Sequence, residues 1–186
     1  MGQITPVRGT SVATADTIQQ VLTFLLNGEM FAVGILNVKE IIEYGQVTEI
    51  PLMPSFIRGV INMRGSVVPV IDLGARFGRE RQTIGRRTCI VIIELRLDDG
   101  RHDMGMVVDS VSEVLDVASS DIEPPPSFGA RIRADFIQGM SKIGSRFVIL
   151  LNIERVLSID EIALLLAARD GAVEAGAESA LTAERV

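Results

Sequence analysis

Apolar residues in the middle of the chain fall into short runs that are separated by glycine-containing turns. The run from Val21 to Leu26 ends at Asn27-Gly28, a pair typical of two-residue hairpin turns, and residues 30–36 form the returning run. Similar runs flank Arg64-Gly65, and others cover residues 88–95, 104–108, 136–143 and 147–151. Short strands at this spacing predict an all-β fold of small antiparallel barrels.

The two halves of the chain repeat one order of motifs. The first half carries residues 38–42, Ile50-Pro51, 56–59 and 68–73, and the second half carries 111–115, Glu123-Pro124, 136–139 and 148–153. The first pair lies 73 positions apart and the last two lie 80 apart, so one insertion of seven residues near 125–135 reconciles them. This period is too long for a solenoid and predicts two copies of one small domain. We expect a first barrel at about 18–80 and a second at about 87–157.

Short helices are predicted beside the strands, and the ends of the chain have no core pattern. The segments 72–77 and 152–157 begin at Asp72 and Asn152, which are good N-cap residues. A further helix at about 159–169 places Ile162, Leu165 and Leu166 on one face, which favours packing on a barrel. We expect residues 1–17 and 170–186 to be disordered.

The composition favours a folded cytoplasmic protein. Hydrophobic residues make up 47% of the 186 positions and charged residues 23%. The longest apolar stretches have around ten residues, whereas a membrane-spanning helix needs about 20, and residues 1–17 hold no signal-peptide pattern. The net charge of −6 argues against a nucleic-acid partner. The arginine-rich segment 76–87 has no aromatic residue after Phe77, so we interpret it as a solvated connection between the barrels.

No arrangement of residues points to catalysis. The single histidine, His102, and the single cysteine cannot form a zinc site by themselves, and the phosphate-binding, dinucleotide and nucleophile-elbow motifs are missing. A carboxylate pair could be drawn from Asp72, Glu94, Asp103 and Asp109, although each also fits a cap, a turn or a strand edge. We therefore expect no enzymatic activity, no metal and no cofactor.

Positions that differ between the two copies are better candidates for function than positions that recur. Arg64 falls opposite Gly144, and Asn62 falls opposite Lys142. Since glycine serves the second turn, an arginine is not required by the fold, and its planar donor group suits a carboxylate on a partner. A merely solvated arginine remains an alternative on this argument alone. Glu40 recurs as Glu113, so the repeat does not single it out.

Several motifs together resemble the CheW family, the coupling proteins of bacterial chemotaxis. They are Phe24 to Leu26 with Gly28-Glu29, Val38 to Ile41, Phe56 to Gly65 with its Asn-x-Arg-Gly turn, Val68 to Leu73, and Gly105 to Asp109. The resemblance runs in order from about Ile18 to Ala168. Met63 stands where the family commonly has leucine, which is a volume-conserving exchange.

The resemblance implies two tandem five-stranded SH3-like barrels with an apolar groove between them. It implies a non-catalytic adaptor that couples the cytoplasmic tip of a chemoreceptor to the regulatory domain of the histidine kinase CheA, without nucleic acid or direct membrane insertion. Matching positions give six expected receptor-binding residues: Val38, Glu40, Asn62, Arg64, Gly105 and Val108. They also give two expected kinase-binding residues, Ile35 and Phe128.

Three other interpretations stay open. The chain could be a CheW-like module of a CheV-type adaptor or of the kinase itself, although the sequence contains neither a receiver domain nor an ATP-binding domain. It could serve a chemosensory pathway that controls surface motility or a second messenger. A small barrel enzyme or nucleic-acid binder is the remaining class, against which the missing catalytic motifs and the acidic charge both weigh.

Overall fold

The regular structure in the described part of the chain is mostly β-strand. The computed structural model describes residues 16–97, 100–125, 132–158 and 160. The strands are β1 (Ile18–Leu26), β2 (Glu29–Gly34), β3 (Val38–Glu43), β4 (Ile57–Met63), β5 (Ser66–Asp72), β6 (Cys89–Leu97), β7 (Gly100–Val108), β8 (Ser110–Ala118), β9 (Ile122–Glu123), β10 (Ile137–Ile143) and β11 (Arg146–Leu151). Two short helices, α1 (Leu73–Arg76) and α2 (Ile153–Val156), and 3-10 turns at Ile35–Asn37, Ser119–Asp121 and Ala134–Phe136 accompany them. The all-β prediction is confirmed.

Each sheet combines strands from both halves of the chain. The first sheet has the strand order β8-β1-β2-β11-β10-β9, and the second has the order β3-β6-β7-β5-β4. The hairpin β1–β2 from the first half is joined to the second-half strands by parallel pairing of β2 with β11. The hairpin β6–β7 from the second half is joined to the first-half strands by parallel pairing of β7 with β5. The two halves therefore exchange their first hairpins.

This pairing departs from the expected barrels at 18–80 and 87–157. A sequence repeat shows which strands are equivalent, but a hairpin buries the same apolar face whether it pairs within its own copy or with the other copy. The strand numbers also differ from two sheets of five, because β9 pairs with β10 in the first sheet. The counterpart of β9 in the second sheet is a single bridge between Thr48 and Val60.

The internal repeat is confirmed in the details of backbone geometry. In both copies a backbone N–H at the end of the last strand donates to a phenylalanine carbonyl at 2.8 Å: Asp72 to Phe56, and Asn152 to Phe136. The side chain of Asp72 accepts from the Ala75 amide and caps α1, and Asn152 caps α2 in the same way. The predicted helices at 72–77 and 152–157 and their N-caps are therefore present.

A central core lies between the two sheets, and each sheet also encloses a smaller cluster. The central core includes four aromatic rings in series: Phe24, Phe31, Phe77 and Phe136 have successive centroid separations of 6.1, 5.7 and 6.0 Å. Val68, Val70 and Ile90 belong to the cluster inside the second sheet. Because the central core draws on both sheets, burial of apolar surface there holds them together.

Most of the segment 76–87 is exposed, as expected of a solvated connection, but Phe77 and Gln82 within it are buried. Gln82 is 5% exposed, its backbone N–H donates to Asp72 at 2.9 Å, and its side-chain Nε2 donates to Asp109 at 2.6 Å. Asp109 in turn accepts from the Asn27 amide in the β1–β2 turn. Arg79 forms an ion pair with Glu29 at 2.6 Å. The segment thus ties the second sheet to the first.

The two N-caps offer a matched test of this polar link. Asp72 is fully buried, with Arg58 Nε 3.7 Å from its carboxylate. We expect Asp72→Ala to lower the free energy of unfolding by about 3 kcal/mol or more, because Arg58 is left buried without its counter-charge. Asn152→Ala removes only a cap and is expected to cost about 1 kcal/mol. Urea denaturation of both variants measures the difference, and equal losses would contradict this role for Asp72.

Candidate functional site

Arg64 lies at the tip of the tight turn between β4 and β5. Arg64 and Gly65 have φ values of +51° and +89°, as expected for the central residues of a type I′ hairpin turn. The Asn62 side chain accepts a hydrogen bond from the Gly65 amide at 2.9 Å and so stabilises the turn. In the equivalent turn of the other copy, Gly144 has the positive φ value, +62°. Arginine thus occupies a left-handed backbone conformation that favours glycine.

Arg64 pairs with Glu40 across the seam of the second sheet, which is the place where its two edge strands, β3 and β4, approach each other. Arg64 Nη2 lies 3.3 Å from Glu40 Oε2, and the two side chains are 82% and 34% exposed. Glu40 is on β3 and the turn follows β4, which are the two edge strands of this sheet, so the sheet curls until its edges approach each other. An ion pair this exposed contributes little to stability. Its charges therefore remain available to a partner.

A groove of about 680 Å³ lies on the second sheet, close in sequence to this pair. Val67, which is 69% exposed, and Pro69 line it, together with Met104 from β7. Lys39 lies next to Glu40 in the sequence and pairs with Asp103 at 2.6 Å at the groove wall. The arrangement is an apolar trough with charged walls, a surface that suits an amphipathic segment of another protein.

The other expected receptor-binding residues are less exposed. Val38 is half-buried against the central core. Gly105 and Val108 are both buried, and a Cβ at Gly105 would lie 2.7 Å from Ile90 Cγ2. The structure therefore does not place Gly105 or Val108 on the surface. Close packing within the sheet explains the glycine at 105, and a place in the central core explains the valine at 108.

Of the two expected kinase-binding residues, the structure describes only Ile35. Ile35 is half-buried in the turn Ile35–Asn37 and lines a second groove of about 660 Å³. Its neighbour Leu36 is 93% exposed. Phe128 lies outside the described residues.

Sequence reasoning did not single out several strongly exposed apolar residues. Among them are Leu36, Val67 and, at the position equivalent to Val67, Phe147, which is 59% exposed. The alternation of β5 could have identified Val67, because Val68 and Val70 point into the sheet and Val67 must face outward. Leu36 lies in a 3-10 turn and had no such signal.

The described residues contain no cluster of three or more histidine, cysteine or acidic side chains that could hold a metal ion. The carboxylates of Asp72 and Asp109, two of the candidates for catalysis, accept hydrogen bonds from backbone amides and from the linking segment. Within the same residues, no helix is long and apolar enough to span a membrane.

An exposed ion pair and an apolar groove lined by residues adjacent in sequence, on a fold of two sheets, are characteristic of a protein-binding module. The CheW-like domain model matches residues 20–161, which is most of the chain. The chemotaxis protein CheW of Klebsiella aerogenes is 37% identical over 79% of this chain and 86% of its own length. Protein FrzA of Myxococcus xanthus is 31% identical over 78% and 89%. The chain belongs to the CheW family.

The solved structures agree with this assignment. The crystal structure of the scaffolding protein TtCheW from Thermoanaerobacter tengcongensis is similar with a TM-score of 0.68 and 31% sequence identity. The similarity covers 77% of this chain and 90% of that one. The shared architecture is thus that of a scaffolding protein.

The backbone at Arg64 predicts that this residue is dispensable for folding. We expect Arg64→Gly to change the free energy of unfolding by less than about 1 kcal/mol, because relief of the left-handed strain offsets the extra entropy of the unfolded chain. Gly65→Ala, at φ +89° in the same turn, serves as the control and should destabilise by about 1 kcal/mol. Chemical denaturation checks both values, and a loss above about 2 kcal/mol for Arg64→Gly would make the arginine structural.

Proposed function

We propose that this protein is a non-catalytic chemotaxis adaptor that couples chemoreceptor cytoplasmic tips to the histidine kinase CheA. It acts in the cytoplasm and joins membrane receptor arrays through its partners. One observation carries the proposal: Arg64 is 82% exposed in a backbone conformation that its counterpart Gly144 adopts more easily. An arginine at such a position, with only a weak exposed partner in Glu40, is best explained by a second protein.

The receptor tip is proposed to bind at the Glu40–Arg64 pair and the groove that Val67 lines. A helix laid into such a groove buries apolar anchors at helical spacing, and its acidic residues can reach the guanidinium of Arg64. Glu40 and Arg64 make the polar contacts in this proposal. Asn62 holds the turn that presents Arg64.

The remaining receptor-binding candidates support the surface from beneath in this proposal. Val38 anchors the start of β3 on the central core, and so it places Glu40. Gly105 permits Ile90 and Val70 to pack closely, and Val108 fills the core below the sheet. Substitutions at these three positions are expected to act on receptor binding through the shape of the sheet rather than through lost contacts.

The kinase regulatory domain is proposed to contact a different surface, at Ile35 and, outside the described residues, Phe128. Among the residues that the structure describes, the groove lined by Val67 and the groove lined by Ile35 share no lining residue. An adaptor needs two partners bound at once, and separate surfaces meet that requirement.

Charge reversal at Arg64 tests the receptor contact against a matched control. We expect Arg64→Glu to reduce the affinity for a receptor-tip fragment by at least about tenfold, because a charge-assisted hydrogen bond at an interface becomes a repulsion. Arg146→Glu reverses an exposed arginine beside the equivalent turn of the other copy and should change the affinity by less than about twofold. Fluorescence anisotropy measures both. Equal losses would indicate a general effect of net charge and contradict the assignment.

A double reversal separates partner binding from the internal ion pair. The variant with both Glu40→Arg and Arg64→Glu keeps opposite charges across the seam, so we expect it to unfold at nearly the wild-type denaturant midpoint. It should remain deficient in receptor binding, since the charge that meets the partner is inverted. Restoration of wild-type affinity by the double variant would instead assign both residues to holding the seam.

A further inference from the structure

Arg76, the last residue of α1, reaches from the second sheet to the first. Its Nε donates to the carbonyl of Val156 at 2.9 Å, in the helix α2 that follows β11. Its guanidinium carbon lies 5.0 Å from the ring centroid of Phe56, which precedes β4, and 4.8 Å from that of Phe136, which precedes β10. At both distances a cation is attracted to an aromatic ring. One side chain therefore contacts both sheets.

These contacts place Arg76 at the symmetry axis of the repeat. Because β2 pairs with β11 and β5 pairs reciprocally with β7, a local twofold axis relates the two copies. Phe56 and Phe136 are equivalent residues, 80 positions apart, and Val156 lies 80 positions beyond Arg76. Arg76 thus donates to its own counterpart. A side chain on such an axis occupies the place of its symmetry mate, so the second copy has a buried valine instead.

The contacts of Arg76 are directional, whereas those of the central core are not. Burial of apolar surface holds the sheets together but does not favour one direction of approach. A hydrogen bond weakens as its angle departs from linearity, and a cation–π contact needs the cation over the ring. Rotation of one sheet against the other would move Phe136 and the Val156 carbonyl away from Arg76. Arg79 and Glu29 also join the sheets, but Glu29 is 49% exposed and such pairs contribute little.

We propose that Arg76 is a positioning residue that fixes the angle between the two sheets. Its consequence for partners rests on the proposed function. The receptor surface with Arg64 belongs to the second sheet, and the groove beside Ile35 is lined by strands of the first. Arg76 lines neither groove. It therefore holds the two bound partners at one mutual orientation while it contacts neither of them.

Distances between spin labels test the angle on the chain alone. In full-length protein carrying Cys89→Ala, labels at Val67→Cys and Phe147→Cys report the separation of the sheets, since these exposed residues lie on β5 and β11. We expect Arg76→Met to broaden the distance distribution from pulsed electron paramagnetic resonance at least about twofold, because the apolar stem remains but the donor and the charge are lost. The control labels Ile41→Cys and Val67→Cys, both in the second sheet, and should be unaffected.

An inter-sheet distribution that Arg76→Met leaves unchanged overturns the proposal. Equal broadening for both label pairs also overturns it, because the whole fold would then have loosened. A loss of stability alone does not broaden distances within the folded state. The label pairs therefore separate positioning from a merely stabilising role.

Hydrogen exchange of arginine Nε–H groups provides a second measurement, made on the wild-type chain by NMR. The Arg76 Nε–H should exchange at least about tenfold slower than that of the exposed Arg146, since the Val156 carbonyl holds it. The signal is assigned by its loss in Arg76→Lys. Exchange as fast as that of Arg146 overturns the proposal.

The consequence for coupling is measured with both partners present. Arg76→Met should bind a receptor-tip fragment and the kinase regulatory domain, each alone, within about twofold of the wild-type affinity, because Arg76 lines neither groove. In assemblies of receptor, adaptor and kinase it should reduce receptor control of kinase activity at least about fivefold. Unchanged control overturns this consequence. Wild type that binds neither partner overturns the proposed function instead, and the inter-sheet distances still decide the role of Arg76.

Discussion

The parallel pairing of strands from opposite halves of the chain is the constraint on which the rest of the structure depends. β2 pairs with β11 and β5 pairs with β7, so each sheet is completed by a hairpin from the other half. Neither sheet can form without both halves, and the aromatic series from Phe24 to Phe136 can assemble only between completed sheets. The groove beside Arg64 exists because strands brought together in this way diverge beyond their paired residues.

The internal symmetry is broken at a buried structural contact and at an exposed turn. Recurrent features, such as the caps at Asp72 and Asn152, are explained by local backbone requirements. The buried pairing of Arg58 with Asp72 is confined to the first copy and holds the linking segment through Gln82. Arg64 has a glycine as its counterpart, and its exposed guanidinium pairs with Glu40.

Much of the fold was predictable from local signals. The hairpin at Asn27-Gly28, the strand runs and both N-caps follow from short-range chemistry. The exchange of hairpins was not predictable. The repeat identifies equivalent strands but carries no information about whether a hairpin pairs with strands of its own copy or of the other copy. Leu36 escaped prediction since its exposure depends on a turn that joins two sheets.

Part of the candidate site was predictable from the sequence, but the burial of its residues was not, because burial depends on the tertiary structure. Glu40 and Arg64, both expected to bind the receptor, lie close enough to form an ion pair, and the Arg64–Gly144 asymmetry pointed to the same turn. Gly105 and Val108 were expected near a partner and are buried, because a motif match does not distinguish a contact from the packing beneath it. The burial of Gln82 in the arginine-rich linking segment was not predictable, since runs of charged residues usually indicate solvated surface.

The most direct test of the hairpin exchange is to cut the chain within the linking segment. Residues 1–84 and 85–186 would be produced separately and together, and two-dimensional amide NMR spectra recorded of each. We expect each half alone to be unfolded, with narrow amide dispersion, and the mixture to form a 1:1 complex with the spectrum of the intact protein. A native-like spectrum from either half alone would show that the barrels are independent, and would contradict the exchange.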